Sequence, residues 1–217
     1  MNIEQARFNM VEQQIRPWNV LDQRVLDLLS ATPREDFVPS SYKQLAFSDT
    51  RIPLGHNQTM MTPKVEGRLL QALAVQPGEE ALEIGTGSGY VTALLAKSCR
   101  HVVSYELFDE LSEMAAHSLQ EVGLKNVSLH VSDGLENAAD SAPYDVIAVT
   151  GSMYQLSDGL KNQLRVGGRL FVITGEHPAM DARTVVRIAE NEWSDESLFE
   201  TSLASLIGAG PPKRFIL

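Results

Sequence analysis

The sequence predicts an α/β fold: a doubly wound, mostly parallel, seven-stranded-type sheet with helices on both faces. A C-terminal antiparallel edge hairpin and an N-terminal helical extension complete it. Three observations predict this fold. The run Ala81-Leu82-Glu83-Ile84-Gly85-Thr86-Gly87-Ser88-Gly89-Tyr90 reads as a short apolar strand, a glycine-rich turn and the first turn of a helix. Strand-like and helix-like segments then alternate to about residue 174, which implies parallel strands joined by covering helices. The tail from Thr184 to Leu217 turns extended, with Val185, Val186 and Ile188 and then Leu198 to Ile207. Such a hairpin can edge an otherwise parallel sheet.

Along the chain, residues 3–29 are helical and amphipathic, broken near Pro17. Asp22 is placed to cap the second part, with Val25, Leu26, Leu28 and Leu29 apolar behind it. The run from Pro33 to Pro39 interrupts the pattern, and Arg51-Ile52-Pro53-Leu54-Gly55 reads as an irregular loop. Thr62-Pro63 opens a helix running to about Val75, with Thr62 as N-cap and Pro63 in the first helical position. After the turn Gln76-Pro77-Gly78, strands are expected at 80–84, 102–106, 127–131, 145–150 and 169–174, and helices at 90–98, 109–122 and 153–164. Asn191-Glu192 begins the turn of the terminal hairpin. The division expected is an extension over residues 1–76 and a ligand-binding core over 77–217.

Composition narrows the function classes. The formal charge is −10, from 28 acids and 18 bases, which disfavours a phosphate-backbone partner, and Lys213 and Arg214 are too few to make a basic tract. No apolar run approaches the roughly 20 residues of a membrane span, and residues 1–16 are polar rather than signal-like. The single cysteine, Cys99, excludes an internal disulfide and is expected to be buried as a small apolar residue. A cytoplasmic protein is expected.

The glycine turn fits a nucleotide-binding corner, but not of every kind. A dinucleotide fingerprint needs a third glycine at position 90, which is Tyr90, and no phosphate-cradling lysine motif is present. The observed spacing resembles the first motif of S-adenosyl-L-methionine-dependent methyltransferases. Glu106 ends the next strand, 21 positions after Gly85, where an acid can accept from both ribose hydroxyls. Asp133-Gly134 ends the third strand and is placed to face the adenine. Glu83, Glu106 and Asp133 are thus expected as three carboxylates on one rim, suited to a sulfonium and an ammonium.

Further segments make the resemblance specific. They are Met10-Val11-Glu12-Gln13-Gln14-Ile15-Arg16, the run Pro33 to Pro39, Leu54-Gly55-His56-Asn57-Gln58-Thr59, Pro143-Tyr144-Asp145 and the run Gln163 to Leu170. With the glycine turn and Asp133-Gly134, the chain resembles the protein-L-isoaspartate O-methyltransferase family over nearly its whole length. The resemblance implies a SAM-dependent O-methyltransferase for the free carboxylate of isoaspartyl residues in damaged proteins. It implies a monomer in the cytoplasm; no histidine pairs with a Cys or His at metal-ligand spacing, so no metal is expected, and charge and hydropathy already disfavour a nucleic acid or membrane partner. It also implies that Gln58, Thr59, Met60, Glu83, Gly85, Thr86, Gly87, Gly89, Glu106, Leu107, Asp133, Gly134 and Thr150 border the cofactor, and that Thr59, Met61 and Thr62 face the acceptor.

One position departs from the family pattern. The family serine that helps hold the acceptor carboxylate falls on Met61, whose thioether cannot donate a hydrogen bond. Three outcomes stay open: weakened isoaspartyl activity, a different acceptor such as a small-molecule carboxylate, or a non-catalytic SAM-binding module. Residues 153–155 and the stretch after Gly175 also match the family poorly. Thr62 can replace the serine only if the loop shifts, and its capping role is the expected one. A carboxylate acceptor is already ionised at neutral pH and needs no general base, which suits a chain with no base constellation. His56 lies in the candidate acceptor loop, where it is placed either to contact the acceptor or to be a solvated loop histidine, and the solvated role is the expected one.

Overall fold

Ala81 and Leu82 are completely buried and Ile84 nearly so, because the strand that carries them lies in the middle of a sheet covered on both faces. The computed structural model describes residues 2–212; Lys213 and Arg214 lie outside the described residues. The central strand β3 (Glu80–Ile84) pairs in parallel with β4 (His101–Glu106) on one side and β6 (Tyr144–Met153) on the other. β5 (Val127–Val131) extends the sheet beyond β4, and β7 (Leu164–Glu176) extends it beyond β6, both in parallel. The long hairpin β8 (Ala179–Ala189) and β9 (Glu192–Thr201) adds two antiparallel strands, giving the order β5-β4-β3-β6-β7-β8-β9. The direction of winding reverses between β3 and β6, and ligands of such sheets bind at the carboxyl ends of strands flanking that point.

Helices α4 (Tyr90–Ser98) and α5 (Asp109–Glu121) are crossovers of this sheet, and their ranges match the sequence reading to within one residue. The helix expected over 153–164 is mostly not formed. β6 runs on to Met153, and only Asp158–Asn162 is helical. The reason is tertiary: Ser152 and Met153 pair with Ile173 and Thr174 of β7, and Ser152 N–H donates to Ala204 O at 2.9 Å. No periodicity within 153–164 announces that chain segment.

The N-terminal extension packs on this sheet rather than standing apart. Helices Ile3–Met10 (α1), Gln23–Ala31 (α2) and Pro63–Leu73 (α3) bury Met10, Leu26, Leu29, Leu69 and Leu73 in the same apolar cluster as Ala81, Leu94 and Phe171. After α1 the chain continues through one wider turn, where Arg16 N–H donates to Val11 O, and ends at Asn19 in the left-handed region (φ 62°). Asp22 caps α2 as expected, accepting from Arg24 N–H at 2.9 Å. Thr62 takes the N-cap conformation before α3, but its hydroxyl makes no capping bond. Cys99 is buried, and burial pushes its thiol up to about 11.

The segment expected as an irregular loop contains a small ribbon. Pro53–Gly55 (β1) pairs antiparallel with Gln58–Thr59 (β2) around His56 and Asn57. Both turn residues have positive φ (49° and 57°), the condition for a two-residue hairpin whose twist matches its strands.

Candidate active site

The site is built from three strand ends. At the end of β3 the backbone takes left-handed values at Gly85 (φ 96°) and Gly87 (φ 55°). A Cβ on Gly85 would lie 2.5 Å from the Thr150 hydroxyl, and one on Gly87 would lie 3.2 Å from Leu54. Glycine is therefore required here both for conformation and for close approach. At the end of β4 the Glu106 carboxylate accepts from Gly87 N–H at 2.8 Å, Leu107 N–H at 2.9 Å and Phe108 N–H at 3.1 Å. Backbone donors thus hold one acid against the glycine turn. After β5, Asp133 accepts from Leu135 N–H at 2.9 Å, and Gly134 sits where a Cβ would be 2.7 Å from Tyr105. Gly85, Gly87, Glu106, Leu107, Asp133, Gly134 and Thr150 all line one cavity of about 650 Å³. Gln58 and Thr59 of the ribbon form its facing wall.

Two further spaces lie in series beside this cavity. A pocket of about 320 Å³ shares Leu54, Thr59, Gly85, Gly87 and Thr150 with it, and adds Met60, Met61 and Thr86. A groove of about 810 Å³ contains Met61 and Thr62, together with Arg51 and Lys64. Met61, only 4% exposed, is the residue common to pocket and groove. The loop that carries it is fixed from beneath. The buried Arg34 guanidinium donates to Met61 O at 2.8 Å and pairs with Glu66 at 2.9 and 3.0 Å.

Three expectations need correction. Glu83 is not on the rim. It is completely buried beneath the glycine turn, where Thr92 and Ser104 hydroxyls donate to one carboxyl oxygen at 2.5 and 2.6 Å. Burial pushes its pKa up to about 8, so it is a neutral acid at pH 7 and the rim carries two carboxylates, not three. Side chains alternate along a strand, but both faces of β3 are covered, so neither face offers Glu83 solvent. Gly89 faces away from the cavity, its missing Cβ making room for Ala115 of α5 at 3.0 Å. Thr62 does not make the capping bond expected of it: its side chain lines the groove beyond Met61, and its hydroxyl is buried without a hydrogen-bond partner.

Other side chains behave in ways the sequence does not disclose. Thr150 does not face the cavity with a free hydroxyl: it donates to Ile84 O at 3.0 Å and also to Gly85 O, pinning the turn to β6. Thr86 lies 2.6 Å from the Ser104 hydroxyl, continuing the chain of groups above Glu83. The Thr59 hydroxyl is buried and unpartnered. His56 is an exposed turn residue, as expected, but one face of its ring stacks on Phe108. Sequence reasoning missed Leu54, Tyr105, Phe108, Leu111, Leu206 and Ile207 in the wall. Tyr105, Phe108 and Leu111 flank Glu106 in sequence and were within reach of the motif. Leu206 was not: it arrives through Leu206 N–H donating to Ser152 O at 2.8 Å. Among the described residues no group of three or more His, Cys, Asp or Glu is placed to hold a metal ion, and no helix is long and apolar enough to cross a membrane.

The model of the family described as protein-L-isoaspartate(D-aspartate) O-methyltransferase matches residues 5–207. The protein-L-isoaspartate O-methyltransferase of Rhodopseudomonas palustris (strain ATCC BAA-98 / CGA009) is 37% identical over 201 residues, 92% of each chain. That of Gloeobacter violaceus is 38% identical over 177 residues, covering 82% of this chain and 86% of its own. A solved protein-L-isoaspartate O-methyltransferase superposes with a TM-score of 0.81 at 24% identity, over 94% of this chain and 67% of that one. A Plasmodium falciparum chain solved in complex with S-adenosyl-L-homocysteine superposes with a TM-score of 0.80 at 19% identity, over 92% and 97%. These two likenesses establish the fold.

Proposed function

The chain belongs to the protein-L-isoaspartate(D-aspartate) O-methyltransferase family, and from that premise we propose that it methylates the free carboxylate of isoaspartyl residues in damaged proteins. The observation that carries this reading is the adjacency of three spaces in series: the cofactor cavity, the pocket at the glycine turn that shares five lining residues with it, and the groove on the other side of Met61. The cavity walls fit S-adenosyl-L-methionine. They combine a glycine turn open to close approach, an acid fixed beside it, an Asp-Gly corner, and apolar faces from Leu107, Phe108 and Leu135. When bound, S-adenosyl-L-methionine supplies a methyl group activated by a sulfonium.

In this reading Glu106 receives the ribose hydroxyls and Asp133 faces the adenine. Gly85 and Gly87 admit the cofactor backbone-close, and Gln58, Thr59 and Met60 border its amino-acid end. The acceptor approaches along the groove and reaches the cofactor past Met61. The acceptor carboxylate is ionised at neutral pH, so the residues have no proton to remove. Their task is to align the two reactants and to keep water out. Arg34 serves alignment by anchoring the Met61 carbonyl, and the C-terminal segment with Leu206 and Ile207 helps enclose the cavity. Residues 1–76 then supply most of the acceptor side and reach the cofactor through Gln58, Thr59 and Met60, and residues 77–217 supply most of the cofactor side and close the groove with Ile173 and Leu203, in a monomer that works in the cytoplasm without nucleic acid. Met61 is the specific observation favouring a second reading, a changed acceptor such as a small carboxylate.

The test is transfer of a labelled methyl group from S-adenosyl-L-methionine to an isoaspartyl peptide, with the ordinary aspartyl peptide as control. Transfer to the isoaspartyl peptide alone is expected. No transfer from protein that binds the cofactor would move the function to another acceptor.

A further inference from the structure

The ribbon β1–β2 is joined by two residue pairs, Pro53 with Thr59 and Gly55 with Gln58. A two-stranded ribbon of that length does not hold its own position in water. Yet it contributes Gln58 and Thr59 to the wall of the cofactor cavity. Its turn reaches the opposite wall. The His56 ring lies almost parallel to that of Phe108, with centroids 4.3 Å apart and 16° between planes, and its Nε2 is 3.3 Å from Glu110. Phe108 lines the same cavity two residues after Glu106 and donates its N–H to that acid. The stack therefore fastens the acceptor-side ribbon to the cofactor-side rim.

We infer that His56 is a positioning residue: a latch that holds the ribbon against Phe108 and sets how long S-adenosyl-L-homocysteine stays bound. The inference rests on the cofactor reading above and is independent of which acceptor is methylated. The ring stack carries the effect more than the contact with Glu110 does. Glu110 is mostly exposed, and exposed ion pairs contribute little. Stacked aromatic pairs contribute enough to change a dissociation rate about two- to tenfold.

The experiment is stopped-flow release of S-adenosyl-L-homocysteine from the full chain, on displacement by excess S-adenosyl-L-methionine. H56A is expected to release it about two- to tenfold faster, with the melting temperature of the unliganded protein unchanged. H56L, which has bulk but no ring, is expected to follow H56A. H56F, which restores the stack without the ring nitrogen facing Glu110, is expected to return the slow rate, and E110Q to stay within about twofold of wild type. Release from H56A at the wild-type rate overturns the latch, and so does release from H56F as fast as from H56A. A chain that does not bind S-adenosyl-L-homocysteine overturns it outright. Normal latch behaviour with no peptide methylation would refute only the acceptor assignment.

Discussion

Glu83→Gln is expected to remove a loss of stability that the wild-type chain suffers as pH rises from about 4.5 to about 8. Glu83 is fully buried; two hydroxyls donate to one of its oxygens, and the other oxygen has no partner. Two donated hydrogen bonds favour the carboxylate, but desolvation outweighs them and carries the pKa from 4.5 to about 8. Between those values the folded chain keeps a proton that the unfolded chain has released. The stabilisation is complete below about pH 4.5 and is lost as pH rises through about 8. The full span corresponds to about 5 kcal/mol, of which about 3 kcal/mol has gone by pH 7. Glutamine keeps the shape, offers one carbonyl to both hydroxyls and does not ionise. The assay is urea unfolding of both proteins at pH 5, 6, 7, 8 and 8.5, with the difference in unfolding free energy taken at each pH. Other titrating groups are common to both chains and cancel. The variant is expected to match wild type near pH 5 and to exceed it by several kcal/mol at pH 8.5. A difference that does not change with pH would refute the reasoning, because Glu83 would then not titrate in this window.

Met61→Ser is expected to raise kcat/KM for an isoaspartyl peptide by about 10- to 100-fold, the effect of one hydrogen bond to a charged group. Unchanged or lower turnover would count against this loop holding the acceptor; Met61 is buried, so the same variant is expected to melt lower. Gly87→Val is expected to abolish S-adenosyl-L-homocysteine binding in calorimetry. A side chain there meets Leu54 at 3.2 Å and is strained at φ 55°, so retained binding would undo the cofactor assignment. Arg34→Met leaves the completely enclosed Glu66 carboxylate without its partner, and a loss of about 3–5 kcal/mol is expected in urea unfolding. Adding Glu66→Met to that variant is expected to recover much of the loss, since two apolar groups then replace the pair.

Much of the architecture was legible because it is local. The apolar run at 80–84 and the spacing of Val91, Leu94 and Leu95 specify strand and helix wherever they lie, and Asp22 caps α2 because an aspartate accepts from an N–H two residues on. Thr62 shows where such reasoning stops. Its backbone follows the local rule, but its side chain turns toward a groove formed by distant segments. The missing helix at 153–164 and the wall residue Leu206 share one cause: a chain segment some 50 residues away bonds to Ser152.

By itself the sequence determined that this protein has a strand–glycine turn–helix corner followed by acids at two further strand ends, since these follow from local backbone preference and spacing. Only the tertiary structure decided which acids reach the ligand. Glu83, Glu106 and Asp133 are alike in sequence as carboxylates near strand ends. Burial made Glu83 a neutral support beneath the turn, while backbone N–H groups held Glu106 and Asp133 on the cavity wall. Solvent exposure and the partners that replace water are properties of the packed whole, and they fix the charge that a titratable side chain brings to the site.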